Sequence, residues 1–168
     1  MNEDIVKAIE QNSGKNEEAK TESESTITWL IFGICSKKYA IKSSEVHEII
    51  RDVTVYKLPF LPSYIEGVIN RRGDPFTVIN PVAVMDPKNE ELPEQPLFLI
   101  LKRDDDQLSL HISDILFFHE TDANDLHIIP NGNEEGIFTG TIDYDHEEIP
   151  VFNAEAFELL LRKDLGRA

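Results

Sequence analysis

TITWLIFGI, residues Thr26 to Ile34, puts Ile27, Trp29 and Ile31 on one side of an extended chain and Leu30, Phe32 and Ile34 on the other. Side chains alternate between the two faces of a strand, so apolar residues on both mean burial from above and below. Such a strand needs apolar partners on each side. The rest of the chain supplies them as short apolar runs separated by turn residues, a spacing that predicts a mainly β protein.

Working outward, a Ser36-Lys37-Lys38 turn leads to a short strand at Tyr39 to Ile41. Ser43 or Ser44 then caps a predicted helical turn holding Glu45, Val46, Glu48 and Ile49. Val53 to Leu58 is extended, and Pro59 and Pro62 exclude helix and favour a stiff, exposed connection. Ile65 to Ile69 and Phe76 to Ile79 flank the turn Asn70-Arg71-Arg72-Gly73-Asp74-Pro75, which predicts a hairpin or tight corner. Asp86 to Gln95 is acidic and contains proline, as a surface loop does. Pro96 to Leu101 and Gln107 to Ile112 flank Asp104-Asp105-Asp106 as a second hairpin. Ile137 to Tyr144 and Glu148 to Phe152 flank the turn Asp145-His146-Glu147. A final helix starts at Asn153, a good N-cap, with Phe157, Leu160 and Leu161 at helical spacing. Arg162 and Lys163 suit its last turn, and Gly166 follows.

Upstream of Thr26 the composition changes. Residues 1–25 hold seven acids against three lysines and no aromatic residue, so they bury too little surface to offset their ordering entropy. The expected organisation is a disordered acidic tail at 1–25 and one folded unit at 26–168. The 168 residues allow one domain or two small barrels sharing apolar surface. No apolar run approaches the ~20 residues of a membrane helix, and acids stand where an export signal has basic residues, so a cytoplasmic protein without membrane insertion is expected. A net charge of −16 repels phosphate backbones and anionic lipid, which argues against nucleic-acid binding.

Candidate chemistry is sparse. Cys35 is the one cysteine and lies in an apolar run, where a thiol behaves as a small buried hydrophobe. His111, His119 and His127 recur at a spacing twice that of two ligands on one helix face, which fits no compact metal motif. Asp104-Asp105-Asp106 lacks the glycine and glutamate of a calcium loop. There is no nucleophile elbow and no phosphate-cradling glycine loop, so no catalytic residue, metal or cofactor is expected. Tyr39 to Pro81 combines apolar surface, a Pro-x-x-Pro corner and an arginine-bearing turn, an interface composition.

Three segments in that order carry a family resemblance: YAIKSSEVHEII (Tyr39 to Ile50), LPFLPSYIEGVINRRGDPFTVIN (Leu58 to Asn80) and FTGTIDYDHEEIPVFNAEAFELL (Phe138 to Leu160). Across residues 26–165 the chain resembles the CheW coupling proteins of bacterial chemotaxis. The resemblance implies two packed five-stranded SH3-like barrels with a short internal helix and a C-terminal helix, and no active site. It implies an adaptor, recruited to arrays at the inner face of the membrane. The adaptor bridges the cytoplasmic tips of methyl-accepting chemoreceptors to the regulatory domain of the histidine kinase CheA. Carried over position by position, the receptor-binding residues are Val46, Glu48, Gly67, Val68, Asn70, Arg72 and Gly73, with Arg72 and Glu48 as a charge pair. In shape alone, Gly67 allows close strand approach and Gly73 a positive φ. The chain departs from the family in having Arg71 where leucine is usual, and Ser109 and Ser113 where glycine and aspartate are usual. Kinase-binding residues are not assigned. The competing readings are an adaptor for another kinase pathway, such as motility or development, and a metalloenzyme built on His111, His119 and His127.

Overall fold

The two faces of Thr26–Ile34 enter two different cores. A computed structural model describes residues 26–88, 91–104, 107–128 and 136–166, so the acidic segment 1–25 lies outside the described residues, as do Asp105 and Asp106. The strands are β1 (Thr26–Ile34), β2 (Lys37–Lys42), β3 (Val46–Arg51), β4 (Ile65–Arg71), β5 (Asp74–Ile79), β6 (Leu97–Leu101), β7 (Leu108–Ile112), β8 (Asp114–Asp122), β9 (His127–Ile128), β10 (Phe138–Tyr144) and β11 (Glu147–Phe152). The helices are α1 (Pro81–Met85) and α2 (Ala154–Leu165).

These strands form two sheets, ordered β8-β1-β2-β11-β10-β9 and β3-β6-β7-β5-β4. The middle of the chain makes the second sheet, and the two ends come together to make the first. Both curl into barrels. In the first, Phe117 of β8 and Tyr144 of β10 are in ring contact at 4.3 Å although three strands separate them in the sheet. In the second, Ile50 of β3 and Ile69 of β4, the two outermost strands, share one core.

Three apolar clusters follow. Trp29 and Ile31 fill the first barrel with Ala40, Ile142, Ile149 and Val151. Phe98 and Ile100 fill the second with Ile50, Ile69 and Val78. Leu30, Phe32 and Ile34 from β1 meet Leu97, Leu99 and Leu101 from β6 between the barrels, where α2 adds Phe157 and Leu161. The first strand is therefore buried on both faces as its sequence predicts, and β6 behaves the same way. Each fully buried large side chain here contributes ~1.5–3 kcal/mol. Inside the first barrel the indole Nε1 of Trp29 donates to Thr121 Oγ1 at 2.8 Å, so its polar atom is satisfied.

The two barrels repeat one plan at a constant offset in sequence. Gly67 and Gly140 sit at bulged ends of β4 and β10, Ile69 and Ile142 are buried one pleat further on, and Val78 and Val151 are buried in the next strand. Asn80 and Asn153 then cap α1 and α2, accepting from the amides of Val82 and Ala156. Strand orders match if β3, β6, β7, β5 and β4 correspond to β8, β1, β2, β11 and β10. The first barrel thus takes two strands from the N-terminal part of the chain that the second takes from its own end.

Some sequence expectations are corrected. The predicted helical turn around Glu45 to Ile49 is a 3₁₀ turn at Ser43–Glu45 followed by β3. β-branched Val46, Ile49 and Ile50 pair with β6, and that pairing overrides local helical spacing. The short internal helix lies instead at Pro81–Met85, with Pro81 in its first turn. Cys35 is not in the buried run. It occupies the β1–β2 turn at φ 53°, half-buried, and its amide donates to Ser113 Oγ at 2.6 Å. Burial and the nearby Glu91 push its thiol pKa up, which favours the unreactive form.

Candidate functional site

The β4–β5 hairpin closes through a two-residue turn, Arg72-Gly73, because Arg71 pairs with Asp74. Both turn residues have positive φ, 55° and 97°, as two-residue hairpins of this hand require. Asn70 Oδ1 accepts from the Gly73 amide at 3.0 Å and holds the turn. A Cβ on Gly73 meets nothing within 4 Å, so its role is conformational. Gly67 is glycine for another reason: a Cβ there would come 2.3 Å from the Tyr56 carbonyl oxygen. Tyr56 and Val68 exchange backbone hydrogen bonds at 2.8 and 2.9 Å, which tie the Val53–Leu58 segment across β4.

Glu48 pairs with Arg71, not with Arg72. Arg71 Nε donates to Glu48 Oε2 at 2.9 Å, and Nη2 donates to Oε1 in a forked contact. Alternation along the strands explains the choice. Glu48 and Arg71 lie one pleat beyond Ile50 and Ile69, on the same inward faces, so their side chains meet over the end of the core that those isoleucines fill. Because β3 and β4 are the outermost strands of their sheet, the pair clasps the barrel shut. The Arg71 hydrogen bonds hold the Glu48 carboxyl below the usual carboxylate range, and Arg71, Arg72 and His47 charges act in the same direction. Arg72 is exposed and makes no ion pair among the described residues.

Around this clasp the structure gathers the other expected residues. Val46 is half-buried at the bulged start of β3 and packs on the core between the barrels. Val68, paired with Thr77, stands between two hollows. One, of about 580 Å³, carries His47, Lys102, Arg103 and Gln107 beside Phe76 and Leu101. The other, of about 360 Å³, is apolar and runs between the second barrel and α2, lined by Leu58, Leu61, Ile65, Leu108, Leu161 and Leu165. Phe60 stands fully exposed on the same Pro-bearing connection at φ 62°.

Sequence reasoning did not place the second wall of that groove. Tyr64 Oη donates to Asp164 Oδ2 at 2.7 Å, and burial, aided by that hydrogen bond and the Asp164 charge, raises the phenol pKa to about 12. Glu158, buried on α2, forms ion pairs with Arg103 and Arg162. The helical spacing of Leu161 and Leu165 was the available signal, but nothing local says which barrel they face. The two serine departures are structural: Ser109 Oγ donates to the Thr77 carbonyl at 3.1 Å, and Ser113 accepts from Cys35. The three spaced histidines have different neighbours: Glu66 and the Gln95 carbonyl for His111, the Tyr144 ring for His119, and Asp143 for His127. No helix among the described residues is long and apolar enough to cross a membrane.

The sequence profile of the CheW-like domain matches residues 28–158. Among solved structures, the fold is similar to that of the scaffolding protein TtCheW from Thermoanaerobacter tengcongensis. The TM-score is 0.68 at 22% identity, over 76% of this chain and 88% of that one. No curated protein matches the sequence.

Proposed function

The chain belongs to the CheW-like domain family, and on that premise we propose that it couples the cytoplasmic tips of chemoreceptors to the regulatory domain of a CheA-type kinase. The family is one of scaffolds, and no catalytic family is indicated. The observation that carries the reading is that β4 presents Val68 to the apolar groove and ends in the exposed Arg72 turn. Val46, Glu48, Gly67, Val68, Asn70, Arg72 and Gly73 lie on two strands and one turn around the clasped edge of the second barrel. A partner helix with an apolar stripe fits a groove lined by leucines and isoleucines. Arg72, exposed in the turn that ends β4, has a guanidinium available for directed hydrogen bonds to the partner. Cytoplasmic residence at receptor arrays belongs to the same reading.

The experiment is Arg72→Ala. Truncating an exposed turn residue removes no core volume and is expected to change stability by about 0.5 kcal/mol or less. Loss of a central interfacial arginine costs ~2 kcal/mol or more, roughly thirtyfold in affinity. Binding to a receptor-tip fragment and to the kinase regulatory domain is measured for the folded variant. A receptor affinity equal to that of the native chain removes Arg72 from the site. Equal losses for both partners would mean a shared surface instead.

A further inference from the structure

His111 is buried in β7, and nothing in the coupling role uses it. Its Nδ1 lies 2.8 Å from Glu66 Oε1 on β4, its Nε2 lies 2.8 Å from the carbonyl oxygen of Gln95, and its ring packs on Phe98 of β6. A carbonyl oxygen has no proton to give, so Nε2 must carry one and donate it. Nδ1 then either carries a second proton, making an imidazolium against a carboxylate, or offers a lone pair, which suits only a protonated Glu66. Both arrangements keep one proton between Nδ1 and Oε1. Without it, two acceptors face each other at 2.8 Å in a largely buried site, where the two side chains are 9% and 15% exposed.

We propose that His111, Glu66 and the Gln95 carbonyl form a proton-dependent latch that ties the segment leading into β6 to β4 and opens as pH rises. Few other charges bear on it. β6 presents the Phe98 ring, β7 has no second titratable residue, and β5 has only Asp74 at its far end. Glu94, beside Gln95, and Asp52 and Arg51, near Pro96 and Leu97, are exposed, and Glu91 interacts with Cys35. Burial, the largest influence, pushes the imidazolium pKa down. The Glu66 hydrogen bond, the Gln95 carbonyl and the Glu66 charge push it up and prevail. A raised folded-state pKa gives stability that is complete below the ordinary histidine value of ~6.5 and is lost as pH rises through the folded value. The latch reaches function through position, since Glu66 immediately precedes Gly67 and Val68, but it stands independently of the coupling role.

The test uses side-chain nitrogen and carboxyl NMR shifts, and amide exchange of residues 91–98 normalised to the chemical rate. Both are followed against pH in the full chain and in its Glu66→Gln and His111→Gln variants. In the native chain the pair should hold the extra proton at neutral pH, and protection of 91–98 should fall as it is lost. Glu66→Gln should weaken protonation of His111 about tenfold or more. His111→Gln keeps a donor for Gln95 and should make protection of the segment indifferent to pH. A neutral imidazole beside an ionised Glu66 at neutral pH overturns the proposal, and that measurement needs no variant. Protection that ignores pH in the native chain overturns it equally.

Discussion

Arg71 reaches Glu48 because β4 keeps its alternation through Arg71, and the turn begins only at Arg72. The inward position therefore goes to Arg71, and the next guanidinium is turned out to solvent. In the first barrel Tyr144 occupies the corresponding place beyond Ile142 and meets Phe117 and His119 with its ring, so one barrel end is closed by charge and the other by aromatic contact. Glu48→Ala and Arg71→Ala are expected to be non-additive in a double-mutant cycle, whereas Glu48→Ala and Arg72→Ala, linked by charge alone, should couple far less. Urea midpoints of the single and double variants measure this. The single losses should be small and shrink in salt, because both side chains are about one-third exposed. The depressed Glu48 pKa sets the sign with pH: the clasp is complete above the ordinary carboxylate range and is lost as pH falls through the lowered value. Additivity for Glu48 and Arg71 would show that the clasp carries no energy.

At the scale of the element, the hairpins depend on which glycines are conformational and which are steric. Gly67→Ala must move the Tyr56 backbone and adopt φ 147°, so a loss of about 2 kcal/mol or more is expected. Gly73→Ala meets open space and bears only the strain of positive φ, about 1 kcal/mol. Gly140→Ala should resemble Gly67→Ala, since its Cβ would lie 2.3 Å from the His127 carbonyl oxygen. Thermal or urea unfolding of the three variants ranks them, and a Gly73→Ala loss as large as that of Gly67→Ala would contradict the distinction. The same elements show what a sequence can convey. β1, the β6–β7 hairpin and α2 were readable because an apolar run, a polar turn and an Asn cap are local signals. β8 escaped notice because Leu116 and Phe118 remain exposed on its outer face, which hides the alternation. β3 imitated a capped helical turn until its pairing with β6 decided otherwise. For the site, the glycines and the turn were legible. The partner of Glu48 was not, because a shift of one residue in where a strand ends exchanges inward and outward side chains.

For the whole molecule, the ordering of cores predicts how it unfolds. The first barrel is built from both ends of the described chain, the second lies between them in sequence, and the largest apolar cluster belongs to neither barrel alone. If the second barrel opened by itself, it would expose Leu30, Phe32 and Ile34 on β1 and Phe157 and Leu161 on α2. It would also leave the buried Glu158 carboxylate without Arg103. Separate unfolding is therefore costly for both barrels, and a single cooperative transition is expected, with calorimetric and van't Hoff enthalpies equal. Leu99→Ala between the barrels and Ile142→Ala inside the first, each of them fully buried, should each lower that one transition by ~2–5 kcal/mol without splitting it. With seven acids, three lysines and no aromatic residue, residues 1–25 have little apolar surface to add, so their deletion should leave the midpoint within a degree or two of the full chain. Differential scanning calorimetry of the full chain, the deletion and the two core variants tests both statements. Two resolved transitions in Ile142→Ala would show barrels that fold independently, and a large drop on deletion would show that the segment before Thr26 packs on the domain.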